Sequence, residues 1–430
     1  MEIFLKNKST KGIPTLDKRK WKELNQQYDK ETIIEALIEY VRIHKPEAPI
    51  LSITEKEMMD CFFRLKRTDP SKLFLSFDET KERVYEKFDD YGKPYSKHGI
   101  GVVQMGNLYL DVSNYFNQTL RLNCDTYGFK SAHHRWNNVE DLRTVFLALW
   151  RLGNEKLDEE SLVGAFRLST YIATQFKPHV AKFIYDTVGA KSIFDSSCGW
   201  GDRLAGFYCS NATSYYGCDP NPQTFEMYKK QCVMYESLLG TKEPEIVDVK
   251  GYFCCLGKKR VEIFRCAAED FEYDAIFRKW DIGIDCAFTS PPYFSTERYN
   301  EGGEHEEDQS WKRYDTYEKW RDNFYLPVNR KTFEYLSEGG IQIVNIQDPK
   351  VHNKRYYASD DLINDLTTKY KDCNFVGNLG MRMMQRPKNI NKEDLLDLYS
   401  KIYIEPCWVF GKNRTSFDMT ESGGLLDFLE

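Results

Sequence analysis

Over the first third of the chain the apolar positions recur at helical spacing. Ile33, Ile34, Leu37, Ile38 and Val41 share one helix face, and so do Leu142, Val145, Phe146, Leu149 and Trp150. Thr54 and Glu57 are spaced as a capping box ahead of Met58, Met59, Phe62 and Phe63. Residues 78–130 break the rhythm. They are rich in Gly, Asp, Tyr and Asn, with short strand-like pieces such as Gly101-Val102-Val103. The stripes read as ordinary core.

From about residue 178 the pattern changes. A helix carrying Val180, Phe183 and Ile184 ends at Gly189, a residue suited to a left-handed cap. The strand Ser192-Ile193-Phe194-Asp195 follows, then a Gly-containing turn and a helix from about Gly201. Ser214-Tyr215-Tyr216-Gly217-Cys218 reads as the next strand and Pro222 to Tyr235 as the next helix. Further strands fall near 262–266 and 284–289, a long helix near 316–336, and a strand at Ile341-Gln342-Ile343-Val344-Asn345. Asn374-Phe375-Val376 and Cys407-Trp408-Val409-Phe410 supply two more. Strands alternating with helices predict an α/β protein with a parallel sheet. This places a catalytic domain at 165–430, behind a mainly helical region at 1–164 that is the candidate for target recognition.

Composition narrows the class. The 430 residues suffice for two domains, and 41% hydrophobic with 29% charged residues is ordinary for a globular chain. Aromatics reach 15%, most of them expected as core. The formal net charge is -6, so any phosphate-binding surface has to be local. The 12 cysteines contain no CxxC pair, which predicts reduced, mostly buried thiols and no structural zinc or other metal site. Met1 to Thr10 is polar and no apolar run reaches membrane-spanning length. The expectation is a soluble intracellular protein, cytoplasmic, or nuclear in a eukaryote.

The segment from Phe194 to Arg203 ends a strand and opens a helix. Gly199 and Gly201 let the backbone turn sharply there and approach a ligand, and the helix start offers free N–H groups. Asp219, about twenty positions on, stands where the second strand should end, placed to accept both hydroxyls of an adenosine ribose; it also fits as the cap of the helix from Pro222. Glu269 and Asp270 follow a third strand and are placed to accept from an adenine amino group. The order favours an adenosyl cofactor. A dinucleotide site usually has a fuller Gly-x-Gly-x-x-Gly; here Leu204 fills the third position and Gly206 comes two later.

The chemistry-bearing segment is Asp285-Cys286-Ala287-Phe288-Thr289-Ser290-Pro291-Pro292-Tyr293-Phe294, at the end of the fourth predicted strand. Strand ends at this edge of an open α/β sheet line the ligand crevice. Two consecutive prolines stiffen the backbone and donate no N–H. A target amino group can donate to the Ser290 hydroxyl and the Pro291 carbonyl. Those bonds localise a lone pair that the ring otherwise delocalises, so the amine attacks a sulfonium methyl in line. Tyr293 offers a flat face for a base to stack on.

These residues resemble the class I S-adenosylmethionine-dependent amino-methyltransferases, whose catalytic tetrapeptide is Asp/Asn/Ser-Pro-Pro-Tyr. The form at 289–293 is similar to that of the DNA cytosine amino-methyltransferases, and the resemblance covers roughly 165–415. Phe176-Lys177-Pro178-His179-Val180 is similar to the family's segment before the first strand, and Asp195 to Gly201 to its methionine-binding loop. Asp219 is similar to its ribose carboxylate, Glu269-Asp270 to its adenine-side acid, and Glu405 to Lys412 to its closing strand. The resemblance implies a Rossmann-like class I methyltransferase sheet, mostly parallel with an antiparallel last strand. It implies S-adenosyl-L-methionine as cofactor, held by Lys177, Asp195, Ser196, Cys198, Gly199, Gly201, Asp219, Glu269 and Asp270. It implies catalysis by Ser290, Pro291, Pro292 and Tyr293, on an exocyclic amine of a DNA base, cytosine before adenine. An RNA base or a protein amide would use the same chemistry. A methyltransferase-like module that binds nucleic acid without turnover is a further alternative, and a dehydrogenase would leave Pro-Pro-Tyr unexplained.

Candidate contacts to the nucleic acid are Lys18-Arg19-Lys20, Arg64, Lys66 and Arg67, and His133-His134-Arg135-Trp136, although such a His-His-Arg-Trp run more often reads as ordinary surface. Lys312 and Arg313 are further phosphate candidates, after an acidic loop from Glu301 to Asp308 that also reads as plain solvated surface; Arg298 and Tyr299 lie just before that loop. A target inside a duplex would have to flip out to reach Tyr293. Cys407 reads as core, far from the fourth strand end, and not as a nucleophile.

Overall fold

A computed structural model describes residues 2–49, 52–86, 93–104, 109–126, 128–170, 172–279, 281–296, 298–301, 303–383 and 401–417. The chain forms two compact units, and the division is discontinuous, unlike a single cut at 164. One unit is 1–54, 118–174 and 298–306; the other is 55–117, 175–297 and 307–430.

The smaller unit is helical. Its longer helices are Lys18–Gln27, Lys30–His44, Val139–Arg151 and Glu159–Ser169. Asp17, Asp29, Asn138 and Asp158 cap them, each accepting backbone N–H groups that have no partner inside the helix. The predicted stripes form its core: Ile33, Ile34, Leu37 and Val41 are buried together with Leu142, Val145, Phe146 and Leu149.

The larger unit carries the sheet. Its strands are β1 (Phe74–Ser76), β2 (Gly99–Val103), β3 (Ser192–Asp195), β4 (Ser214–Cys218), β5 (Glu245–Val249), β6 (Tyr252–Leu256), β7 (Arg260–Phe264), β8 (Ile284–Thr289), β9 (Leu336–Asn345), β10 (Lys350–Val351), β11 (Lys354–Arg355), β12 (Cys373–Met383) and β13 (Tyr403–Lys412). Eleven of them form one sheet in the order β1-β2-β12-β13-β9-β8-β3-β4-β7-β6-β5. From β9 through β8, β3 and β4 to β7 the strands are parallel, and β13 runs antiparallel to both β9 and β12. This is the predicted arrangement, mostly parallel with an antiparallel last strand. The order turns at β3: the next strand in sequence, β4, lies on one side and β8 on the other. Such a switch point opens a crevice at the carboxyl ends of the strands.

The sheet is wider than predicted. The β5–β6 hairpin extends one side and β1–β2 the other. The helix expected over 316–336 is in pieces: Tyr317–Trp320, a wide i→i+5 turn over Arg321–Tyr325, and Leu326–Glu334. Pro327 has no N–H to give to the preceding turn, which relieves itself by widening. Aromatic side chains fill the core on this face: Phe194, Phe271, Tyr273 and Phe277 pack together, as do Trp320 and Tyr325. Among the described residues, no helix is long and apolar enough to cross a membrane.

Candidate active site

The turn after β3 is built by a buried ion pair. The Asp195 carboxylate accepts from Arg203 Nε at 2.8 Å and Nη2 at 3.3 Å, from the Tyr215 hydroxyl at 2.7 Å, and from Ser197 N at 3.1 Å. Arg203 also donates to the Ser197 carbonyl, and its guanidinium lies over Phe176 and Phe288. Asp195, expected among the cofactor contacts, spends its carboxylate on the turn itself. Cys198 is likewise turned into the protein. Its thiol is buried against Gly217, where any Cβ would collide with the sulfur, and burial pushes it well above its ordinary range. Ser196 is buried and its carbonyl accepts from Cys218 Sγ at 3.4 Å. With its thiol turned inward, Cys198 can offer a ligand only its backbone.

Gly199 and Gly201 have φ of 60° and 78°, the left-handed region that glycine tolerates best. A Cβ on Gly201 would strike the Gln231 side chain, whereas one on Gly199 would meet nothing nearer than Ser197 O at 3.8 Å. The bare side of Gly199 is therefore open. Its N–H donates to Asp219 Oδ2 at 2.8 Å, which ties the turn to the end of β4. Asn221 N donates to the other oxygen at 3.1 Å. With one such bond on each oxygen, Asp219 keeps lone pairs to offer. Burial pushes its carboxyl up to about 6, against the pull of those two N–H groups.

Glu269 and Asp270 lie in a short turn after β7 and share Arg313, whose Nη1 is 2.9 Å from Glu269 Oε1 and 3.0 Å from Asp270 Oδ2. Tyr314 donates to the same Glu269 oxygen at 3.0 Å. Glu269 Oε2 is buried with no partner among the described residues. Arg313, expected to reach phosphate, is instead neutralised by this acidic pair, and Lys312 stands 3.8 Å from Glu307.

Ser290, Pro291, Pro292 and Tyr293 leave β8 beside β3, with Ile193 opposite Cys286 and Phe194 opposite Ala287. That register sets the tetrapeptide and the Gly199 turn at one sheet edge. Phe294 follows with φ of 51°, a strained value for a residue with a side chain. Its buried ring is held by Tyr317, Trp320 and Tyr356. Phe294 N closes back on the Pro292 carbonyl at 3.0 Å, so the turn that aims Tyr293 is tight.

Two residues complete the site. Asn345 ends β9, and its Oδ1 accepts from the Ser290 hydroxyl and the Tyr293 hydroxyl, each at 3.1 Å. Glu405, near the start of β13, takes a close hydrogen bond from Tyr293 through Oε1. Burial raises the Glu405 carboxyl, while Tyr293 and the charge of Lys177 pull it down. Lys177, expected beside the cofactor, lies near enough for its charge to lower the Glu405 carboxyl. In the sequence Asn345 reads only as the end of a strand and Glu405 only as the start of the closing strand. Their meeting is set by sheet register, Cys407 opposite Asn345, which no local spacing reveals. Cys407 is core as expected, but it lies next to the site through that pairing; burial drives its thiol far above a reactive range.

The expected basic clusters are mostly engaged. Lys18 pairs with Glu155 at 2.5 Å, Arg19 with Glu23 at 3.7 Å, and Lys20 donates to Asn7 at 2.5 Å. Arg67 donates to the Phe63 carbonyl. His134 and Arg135 stand 4.0 and 3.9 Å from Asp141, Trp136 is buried core, and Arg298 stands 3.5 Å from Glu301. Tyr299 bridges to Thr126 within the helical unit. No cluster of His, Cys, Asp and Glu among the described residues could hold a metal ion.

Strand order, the reversed β13 and the glycine turn at the switch point define a Rossmann-like class I methyltransferase fold. Among solved structures the chain is similar to Trm1 from Pyrococcus horikoshii in complex with S-adenosyl-L-methionine, with a TM-score of 0.33 and 11% identity over 56% of this chain and 57% of that one. It is similar also to TrmN from Thermus thermophilus (0.30, 11%, 55% and 48%) and to an rRNA methylase from Streptococcus thermophilus (0.29, 14%, 56% and 99%). The chain thus spans about half the length of the first two. No protein-family model and no curated protein matches the chain.

Proposed function

We propose that the protein transfers a methyl group from S-adenosyl-L-methionine to an exocyclic amino group of a nucleic-acid base, DNA in the first instance and cytosine before adenine. The observation that carries this reading is the Ser290–Tyr293 tetrapeptide at the end of β8, in register with the glycine turn after β3. A dehydrogenase has no use for such a pair, and a binding scaffold has no need of both.

The residues present fit the cofactor. Asp219 has lone pairs for two ribose hydroxyls, Gly199 presents an open backbone face, and the buried Glu269 Oε2 lacks a partner. In this reading Asp219 holds the ribose, the backbone from Ser196 to Gly201 the methionine part, and Glu269 with Asp270 the adenine side. Asp195 shapes the turn without touching the ligand. When bound, S-adenosylmethionine would supply an electrophilic methyl on a sulfonium sulfur: the N–C bond to the amine forms as the C–S bond breaks, the sulfur keeps the bonding pair as a neutral thioether, and the methylated nitrogen gives up one proton to solvent. Ser290 Oγ and the Pro291 carbonyl accept the two hydrogens of the target amine and localise its lone pair. Pro292 keeps the backbone that carries the Pro291 carbonyl rigid. Tyr293 supports the base by stacking.

The test is transfer of labelled methyl to unmethylated DNA, with RNA and protein in parallel, followed by nucleoside analysis. Label in N4-methylcytosine or N6-methyladenine of DNA is the expected result. Label confined to RNA or protein keeps the chemistry and replaces the substrate. Cofactor binding with no transfer to any of the three overturns the catalytic reading.

A further inference from the structure

The signature tetrapeptide does not by itself fix which way the Ser290 hydroxyl points. A hydroxyl can offer a ligand either its hydrogen or its lone pairs, and only the second suits an amine that must donate. The structure shows what decides. Asn345 Nδ2 donates to the Pro406 carbonyl at 3.1 Å, and this bond fixes the orientation of the Asn345 amide. Its Oδ1 then faces both Ser290 Oγ and the Tyr293 hydroxyl, each at 3.1 Å. An amide oxygen has no hydrogen, so Ser290 has to donate to it. The Tyr293 hydrogen is shared between the same oxygen and Glu405 Oε1.

We infer that Asn345 is a positioning residue for methyl transfer: by drawing the Ser290 hydrogen onto its amide oxygen, it leaves Ser290 Oγ as a pure acceptor for the target amine. The inference rests on the proposed function. The chain of cause runs from the Pro406 carbonyl to the Asn345 amide to the Ser290 hydroxyl. Glu405 supports it from the far side by holding Tyr293, so the ring under the base and the acceptor beside the amine are set by one connected network. Its members come from the segment after β8 and from β9 and β13, strands adjacent in the sheet but separated by 55 and 112 residues along the chain in the Ser290–Asn345 and Tyr293–Glu405 pairs. Asn345 is itself buried, which keeps water from competing for its amide oxygen.

The experiment measures kcat and cofactor Kd for Asn345→Ala, Ser290→Ala and the double variant, on whichever of DNA, RNA and protein the parent labels. If the parent labels none, the functional reading fails and the network is not in question. In Asn345→Ala the Ser290 hydroxyl is free to turn its hydrogen toward the amine. The expected kcat loss is about a hundredfold, the size of a small misplacement at a reacting group, with the cofactor Kd within about twofold because the ligand-side carboxylate, Asp219, is untouched. Removing Ser290 from the Asn345→Ala protein should then cost almost nothing more, since the two act as one unit. Asn345→Ser is the second arm. It leaves a smaller cavity and a polar side chain too short to reach both hydroxyls, and the same loss is expected. A parental kcat in either Asn345 variant overturns the inference. So does Ser290→Ala costing the same factor with and without Asn345, which is what a merely structural asparagine gives.

Discussion

The Asp219 carboxyl, pushed up to about 6 by burial, changes charge just below neutral pH. The sign follows from proton binding. An exposed aspartate titrates near 3.9 in the unfolded chain, so between about 4 and 6 the folded protein binds more protons than the unfolded one. This group's contribution to the stability of the ligand-free protein therefore falls as pH rises through that window. If, as proposed, the ribose hydroxyls donate to the ionised form, cofactor affinity runs the other way. Calorimetric titration with S-adenosylmethionine should show affinity falling as pH drops through 6, by up to about tenfold per unit, with Asp219→Asn flat over the same range. At pH 7.5 Asp219→Ala should weaken binding by roughly ten- to a hundredfold, the loss of about 1.5–3 kcal/mol in charge-assisted hydrogen bonding. An Asp219→Ala protein that binds as the parent does would remove Asp219 from the site. Tyr293→Ala and Pro291→Ala should divide the other way, cutting kcat by about a hundredfold or more with cofactor Kd unchanged, because in the proposed function they act on the target amine. Much of this was legible at the residue scale: Gly199, Gly201, Asp219 and the tetrapeptide all stand at the expected strand ends. Asp195 and Cys198 could not be placed from sequence, because the Arg203 and Tyr215 that absorb the first and the Gly217 that admits the second are partners of tertiary packing.

The element that presents the turn is the helix Asp202–Cys209, and its seating depends on one close approach. Gly206 faces the helix Pro178–Thr187, where a Cβ would come within 2.6 Å of Ala181 Cβ and of the Pro178 carbonyl. One of those atoms is backbone, so the helices must part to admit even a methyl group. Gly206→Ala should cost about 1–3 kcal/mol by urea unfolding, although alanine is the better helix former. It should also weaken cofactor binding, because Gly201 caps this same helix. A stabilised Gly206→Ala would show that the two helices are not held at this distance. The same scale explains what sequence could tell. β3, β4 and β8 fall where short, mostly apolar runs between turn signals put them, as expected of strands buried on both faces. β5 escaped because every one of its residues is exposed, leaving no alternation to read. The long helix before β9 was read as continuous, for periodicity alone does not register the widened turn ahead of Pro327.

At the scale of the whole molecule the sequence suggested a cut at 164, and the structure shows why such a cut separates parts that fold together. Residues 55–117 belong to the same unit as the glycine turn. β2 pairs with β12, with Leu379 opposite Gly101, and Val102 and Tyr95 pack with Ile402 and Ile404. Phe62 stacks on Tyr235 at 5.3 Å, Ser113 donates to Asp202, and Asn117 donates to the Trp200 carbonyl. These contacts brace the turn that Asp219 ties down from the other side. None of them was visible in the local pattern, because each joins segments about 80 residues or more apart in the chain. A fragment of residues 165–430 should therefore melt without cooperativity and bind no S-adenosylmethionine, although it contains every residue of the proposed site. The informative partner is a chain of 55–117 and 175–430 joined by a short Gly/Ser linker, with 298–306 likewise replaced. Ser113 and Gln175 both donate to Asp202 Oδ1, so the ends to be joined lie close together and a short flexible linker suffices. This chain keeps the whole sheet and both sides of the turn. It should melt cooperatively by circular dichroism and bind the cofactor within about tenfold of the parent. Equal behaviour of the two fragments would mean that residues 55–117 do not brace the site. Failure of the linked chain alone would mean that the helical unit is needed to fold the sheet.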